Sequence, residues 1–235
     1  MAIISGVIML VGGSGLVTWA EQYVTSGQAA IVIATEPFLF ILLDKKRWPL
    51  YFSQKSIVPG LLLGFSGVAL FFLFAKSSQE VQVPINLKLT GYGVLFISGI
   101  LWVAGSLYSK TERDETISNT VITSVQLIAA GVFSGLLSGL TGEVNSFSFI
   151  NVNTRAWGGL GYLILMGSIV AYLAFTWLLT VRPPAQVSTH TYVNPVVAIL
   201  MGWWIANEPI ASMQLVALGI ILLGVLFTNK KAKSS

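Results

Sequence analysis

Three polar side chains stand where polar chemistry is expensive: Glu36 in IVIATEPFLFIL, and His190 and Asn194 in THTYVNPVVAIL. Glu36 is flanked only by apolar residues for many positions, and an ionised carboxylate inside a bilayer costs at least about 3 kcal/mol. Such a group either faces a cavity on an ion or substrate path, or stays protonated and hydrogen-bonded to a neighbouring helix. An imidazole titrates near neutrality, so His190 could relay a proton or meet an anionic substrate. It could equally lock two helices together. Asn194 follows four residues later and therefore shares its helical face. Trp102, Gln126 and Tyr172 also lie within apolar runs, where they could line a cavity by stacking or hydrogen bonding, or simply pack. Glu21 and Glu208 fall at span ends and read as solvated caps.

Each of the two polar stretches carries a proline. Pro37 and Pro195 have no N–H, so the carbonyls of Ile33 and Thr191 lose their usual helical donor and the helix kinks or opens. Beside a cavity the freed carbonyl can bind water or ligand; buried in protein it only bends the helix.

Enzymatic chemistry is poorly provided for. The chain contains no H-E-x-x-H, G-x-x-x-x-G-K-[ST] or G-x-S-x-G. With one histidine and no cysteine, a metal would need carboxylates, and these are scattered. The reading therefore assigns no catalytic residue, no metal and no cofactor. Without a P-loop, any work the chain performs is driven by a gradient or a partner.

Composition sets the elements that must carry these residues. The 235 residues are 54% hydrophobic and 9% charged, with a mean hydropathy of +0.80, whereas soluble domains carry about 25% charged residues. This is a polytopic, all-α membrane protein, since only helices satisfy their backbone within one segment and the runs lack barrel alternation. Eight spans are predicted, near 2–20, 27–43, 57–75, 89–109, 117–140, 157–179, 185–205 and 212–228. With the C-terminus inside, the inner loops hold ten Lys and Arg residues and the outer loops three, Lys76, Lys88 and Arg155. That places both termini in the cytoplasm. The positive charge sits in short loops, which excludes a nucleic-acid stripe. Gly131, Gly135 and Gly139 form a ladder with Ser134 and Ser138, and Gly60 and Gly64 repeat the spacing; both are read as helix-packing faces.

The first three runs resemble the last three. Laying Pro37 on Pro195 also lays Trp19 on Trp177, yet the triplets begin on opposite sides of the membrane. Inverted repeats of this kind recur in secondary transporters, with substrate sites near the midplane. Residues 1–76 form a first repeat of three helices and residues 89–230 a second of five. This 3+5 layout leaves two helices expected ahead of Met1.

The stretch GGSGLVTWAEQYVTSGQAAIVIATEPFLFILLD resembles the third and fourth helices of EamA-type transporters of the drug/metabolite transporter superfamily, and in particular an inner-membrane permease group within it. GYLILMGSIVAYLAFTWLL, RPPAQVSTHTYVNPVVAILMGWWIANEPI and LGIILLGVLF are similar to the last three helices of that family. The resemblance implies ten helices in two inverted five-helix repeats, cytoplasmic termini, and export or exchange of small metabolites across the inner (plasma) membrane.

Together these readings predict a gradient-driven permease of small metabolites or drugs working by alternating access. Glu36, His190, Asn194, Trp102, Gln126 and Tyr172 are its substrate or coupling candidates. Its partners are the lipid bilayer, a small-molecule substrate and a coupling proton, with a homodimer open and nucleic acid excluded. The alternative is a non-transporting, truncated membrane paralogue acting as a scaffold or partner.

Overall fold

The structure, a computed structural model, describes residues 1–74, 83–146, 148, 152–194, 196–197 and 212–229. Among them the chain is helical, with no strand. Six segments are long and apolar enough to cross a bilayer: Ala2–Ala20, Ser26–Leu43, Ile57–Phe74, Ile85–Thr111, Asn119–Thr141 and Thr154–Val181. A shorter apolar helix covers Ser212–Thr228. The predicted span 185–205 lies partly outside the described residues, and so does Pro195.

We label the helices α1 (Ala2–Ala20), α2 (Ser26–Ile33), α3 (Glu36–Leu43), α4 (Trp48–Ser53), α5 (Ile57–Phe74), α6 (Ile85–Thr111), α7 (Asn119–Thr141), α8 (Thr154–Val181), α9 (Pro184–Val187) and α10 (Ser212–Thr228). Local chemistry sets several ends. Thr25 and Gln28 form a reciprocal capping box at the start of α2 (3.2 and 3.3 Å). Ser118 caps α7 through the Val121 N–H, and Gly142 ends that helix in the left-handed region at φ 76°. Asn153 caps α8 through the amides of Arg155 and Ala156.

The second span is discontinuous. Its ladder stops at Ala34–Thr35, and Glu36 and Pro37 open a new helix. Pro37 is tolerated there because the first turn has no partner for an N–H. The Thr35 hydroxyl donates back to Val32 O at 2.6 Å. A comparable break follows α9 at Ser188–Thr189, before helical residues 190–194. Here the side chains of a whole run bond back three residues: Ser188 to Ala185 O, Thr189 to Gln186 O and Thr191 to Ser188 O, with His190 Nδ1 3.0 Å from Val187 O. Side chains that bond the backbone locally compete with the helical ladder and bend it.

Two spans share a further departure from α-geometry. α1 carries a nine-residue π-helical stretch at Val7–Gly15, and α8 one at Leu163–Ala171. π-turns are rare and concentrate at functional sites.

α5 and α10 pack backbone to backbone. A Cβ at Gly64 would lie 2.6 Å from the Tyr192 ring, and one at Gly67 2.8 Å from Ile221. A Cβ at Gly224 would overlap the Gly64 backbone. Tyr192 fills the space the glycines leave and donates to Leu61 O at 3.2 Å. The core then runs through Phe40, Tyr51, Ile57, Leu61, Val68 and Ile221. Leu73, Leu136, Leu140 and Leu226 point outward, the apolar exterior a bilayer requires.

The ladder in α7 differs from the expectation of helix packing. A Cβ built at Gly131, Gly135 or Gly139 meets nothing within 4 Å. Small-residue spacing permits close approach but does not supply a partner, and here no described helix takes the place. Gly224→Ala is expected to lower the thermal midpoint in detergent by the equivalent of about 1–3 kcal/mol, the usual cost of overpacking. Gly135→Ala is expected to shift it by less than about 0.5 kcal/mol.

Candidate functional site

Two cavities lie on either side of a buried hydrogen-bonded knot. At its centre is Gln126 of α7, whose side chain is fully buried. Its Nε2 donates to Ser5 Oγ and Ser109 Oγ, both at 2.9 Å, and its Oε1 accepts the Tyr172 hydroxyl at 2.9 Å. The knot thus ties α1, α6, α7 and α8 together. Gly6 makes this possible: a Cβ there would lie 2.6 Å from the Gln126 backbone. Met9 sits beside the knot, fully buried, with its Sδ 3.8 Å from the Tyr172 oxygen.

The first cavity, of about 480 Å³, is lined on one side by Trp102, Tyr172, Phe175 and His190. The rings touch in sequence: Trp102 to Tyr172 at 6.2 Å, Trp102 to Phe175 at 5.3 Å, and Phe175 to His190 at 5.4 Å between centroids. Ser14, Ser134 and Ser168 add hydroxyls, and no Asp, Glu, Lys or Arg is among the described residues lining it. Both π-helical stretches reach this wall, through Leu10 and Ser14 and through Gly167, Ser168 and Ala171. Such a surface suits a molecule with a flat or apolar face, held by stacking and oriented by a few hydroxyls. Trp102 Nε1 is buried with no hydrogen-bond partner among the described residues.

The second cavity, of about 500 Å³, lies beyond Met9, where α6 and α8 end and α7 begins. Its lining is polar and includes Arg47, Lys110, Arg113, Asn119 and Thr176. Asn119 donates to Thr176 Oγ1 at 3.0 Å and accepts from Arg113 Nη1 at 2.9 Å; Thr176 in turn meets Thr123 Oγ1 at 2.8 Å. Lys110 Nζ caps the end of α8 by donating to Leu179 O and Arg182 O. Beside this cavity, Asp44 accepts from Arg47 Nη1 at 3.0 Å and from the Tyr51 hydroxyl at 2.6 Å. Burial and this carboxylate push the Tyr51 phenol well above its ordinary range, so it remains a donor.

The structure therefore brings Trp102, Tyr172 and His190 to one cavity and sets Gln126 directly behind Tyr172. It does not bring Glu36 or Asn194 to that wall. Glu36 is buried at the start of α3 and packs toward Gly99 of α6, whose added Cβ would lie 3.8 Å from Glu36 Cγ. No described residue donates to its carboxylate. Asn194 is exposed. Phe175, Met9, Ser14 and Ser168 are members of the arrangement that the sequence did not single out, and Ser134 was read from it only as part of the α7 packing ladder. Phe175 carried one usable signal, a three-residue step from Tyr172 that puts the two rings on one face.

Spans, an aromatic-lined cavity and broken helices together define a multi-pass helical membrane protein. The EamA-like transporter family matches the chain over residues 89–230, and the chain belongs to that family. It is 31% identical to the uncharacterized inner membrane transporter YedA of Escherichia coli K12 over 229 residues, covering 97% of this chain and 70% of that protein. It is 24% identical to the uncharacterized transporter YvbV of Bacillus subtilis over 223 residues, covering 94% and 68%. A solved crystal structure superposes with a TM-score of 0.72 at 18% identity, covering 97% of this chain and 75% of that one. That likeness establishes the fold.

Tyr172→Phe leaves Gln126 Oε1 buried without its donor. The expected result is a loss of about 1 kcal/mol in stability, read as a lower thermal midpoint. A Gln126→Leu background should abolish most of that loss, because the acceptor has gone as well.

Proposed function

We propose that the chain is a gradient-driven permease for a small metabolite or drug, working by alternating access around the aromatic cavity. The observation that carries this reading is the cavity itself. Four rings and three hydroxyls converge there, bounded by two π-helical stretches. The substrate lies against Trp102, Tyr172, Phe175 and His190. Met9, Tyr172 and Gln126 form the closed barrier toward the basic cavity. Breaks at Ala34–Thr35 and Ser188–Thr189 give the spans places to bend. Family membership supports transport as the activity, and no enzymatic step is assigned.

Glu36 carries the coupling proton in this reading, through its burial with no donor among the described residues rather than through contact with substrate; Asn194 stays a second coupling candidate. The two units are residues 1–76 and 89–230, arranged as inverted repeats, and the N- and C-termini face the cytoplasm by the distribution of Lys and Arg. Gly131 and Ser134 at the start of the α7 ladder line the aromatic cavity, while Gly135 and Gly139, bare among the described residues, are available to a second copy of the chain in the bilayer. A scaffold role is the second reading, and one observation favours it: Cβ atoms at Gly158, Gly159 and Gly161, around the first turns of α8, also meet nothing within 4 Å among the described residues. That exposed helix start could serve a partner helix without any transport.

Proteoliposomes separate the two readings. Loaded with a panel of labelled aromatic, cationic and amino-acid compounds, they should accumulate at least one of them under an imposed pH gradient. In Glu36→Gln the gradient should no longer drive accumulation, while exchange at equal pH persists. Gradient-driven accumulation unchanged in that variant removes Glu36 from coupling, and flux of no compound favours the scaffold. Orientation is read in the cysteine-free chain: Ser53→Cys should react only from the cytoplasmic side and Ser148→Cys only from outside. The reverse pattern overturns the topology.

A further inference from the structure

We infer that the basic cavity is a binding site for a phosphate group, carried either by a soluble phosphate ester or by a phospholipid headgroup. Three cationic side chains line it, Arg47, Lys110 and Arg113, against one carboxylate, Glu115. Two of the three are held by neutral acceptors: Lys110 by backbone carbonyls of the α8 end and Arg113 by Asn119. Neither makes an ion pair among the described residues, where the one salt bridge joins Arg47 to Asp44. Neutral acceptors fix the geometry of a cation and leave its charge unspent.

The acids nearby are turned elsewhere. Asp114 accepts from its own turn, from the Thr116 hydroxyl at 2.6 Å and the Thr116 N–H at 2.9 Å, which holds its carboxyl below the usual range. Asp44 is closed by Arg47 and Tyr51. Donors are in excess on the wall. One N–H of the Arg113 fork is used among five, and Lys110 keeps a third ammonium proton. Ser109 Oγ accepts from Gln126 and retains its own proton to give. The first residue of α7, Asn119, also lines the cavity, adding the positive end of a 23-residue helix. A donor-rich, acceptor-poor, cationic pocket of about 500 Å³ matches an oxyanion with several acceptor oxygens. Arginine forks bind phosphate with bidentate geometry. A chloride ion would fill a small part of that volume.

The test is equilibrium binding by the full chain, so its failure leaves the transport reading standing. The purified protein is placed in phosphatidylcholine nanodiscs with chloride held constant and titrated with inorganic phosphate by calorimetry. Saturable binding is expected, weakened about tenfold or more by Arg113→Gln and by Lys110→Gln, consistent with loss of one charge-assisted bond. Arg113→Lys, which keeps the charge and loses the fork, should bind more tightly than Arg113→Gln and more weakly than the parent chain, which separates lost charge from lost fold. Circular dichroism without phosphate checks that each variant is folded. Nanodiscs containing phosphatidylglycerol then assign the source: competition with phosphate identifies a lipid headgroup, and unchanged phosphate affinity identifies a soluble ester. Absence of saturable binding in neutral lipid, or affinity indifferent to both charge-removing variants, overturns the site.

Discussion

Every backbone amide and carbonyl placed in hydrocarbon must find its partner inside the protein, and the rest of this structure follows from that requirement. It forces helices, and it makes each departure from regular helix costly unless a side chain supplies the missing bond. The run Ser188–Thr191 is such a supply, with each side chain paired to the carbonyl three residues back. Thr35 does the same at the break before Glu36. Irregular backbone is therefore found where hydroxyls can support it. Glycine solves the complementary problem in α5 and α10, letting two regular helices approach until their backbones touch.

The same requirement sorts the polar side chains into two populations. Gln126, Ser5, Ser109 and Tyr172 are consumed by one another. They hold the bundle, and of the four only Ser109, which lines the basic cavity, keeps an unused donor. His190, Ser14 and Ser168 reach a cavity wall. Polarity in a membrane span does not by itself separate these roles; the difference lies in whether each donor already has an acceptor.

The helical class and six of the eight predicted spans were legible in the sequence. These properties follow from hydropathy and from residue type, which are local. Partnership was not legible. Gln126 bonds to residues 121, 17 and 46 positions away, and no spacing rule connects them. Phe175 is one of thirteen phenylalanines, and its step of three from Tyr172 gains meaning once α6 and α8 are packed and Trp102 lies against it. The glycine ladder of α7 shows the opposite failure. Its spacing is as regular as that of Gly60 and Gly64, yet among the described residues only the latter pair meets a neighbour. The serine–threonine run around His190 does carry a local signal, because back-bonding side chains need only their own turn of helix.

The knot around Gln126 has a mechanical consequence. Its three bonds join four helices, so pulling any one of these away from the others severs at least one bond. At about 1 kcal/mol per bond in a bilayer, moving one outer helix off Gln126 costs about 1 kcal/mol and separating all four costs about 3. In the transport reading, opening the barrier toward the basic cavity therefore means giving up one of these bonds rather than all three. The two interrupted spans, which the knot does not tie, can bend without breaking any of them.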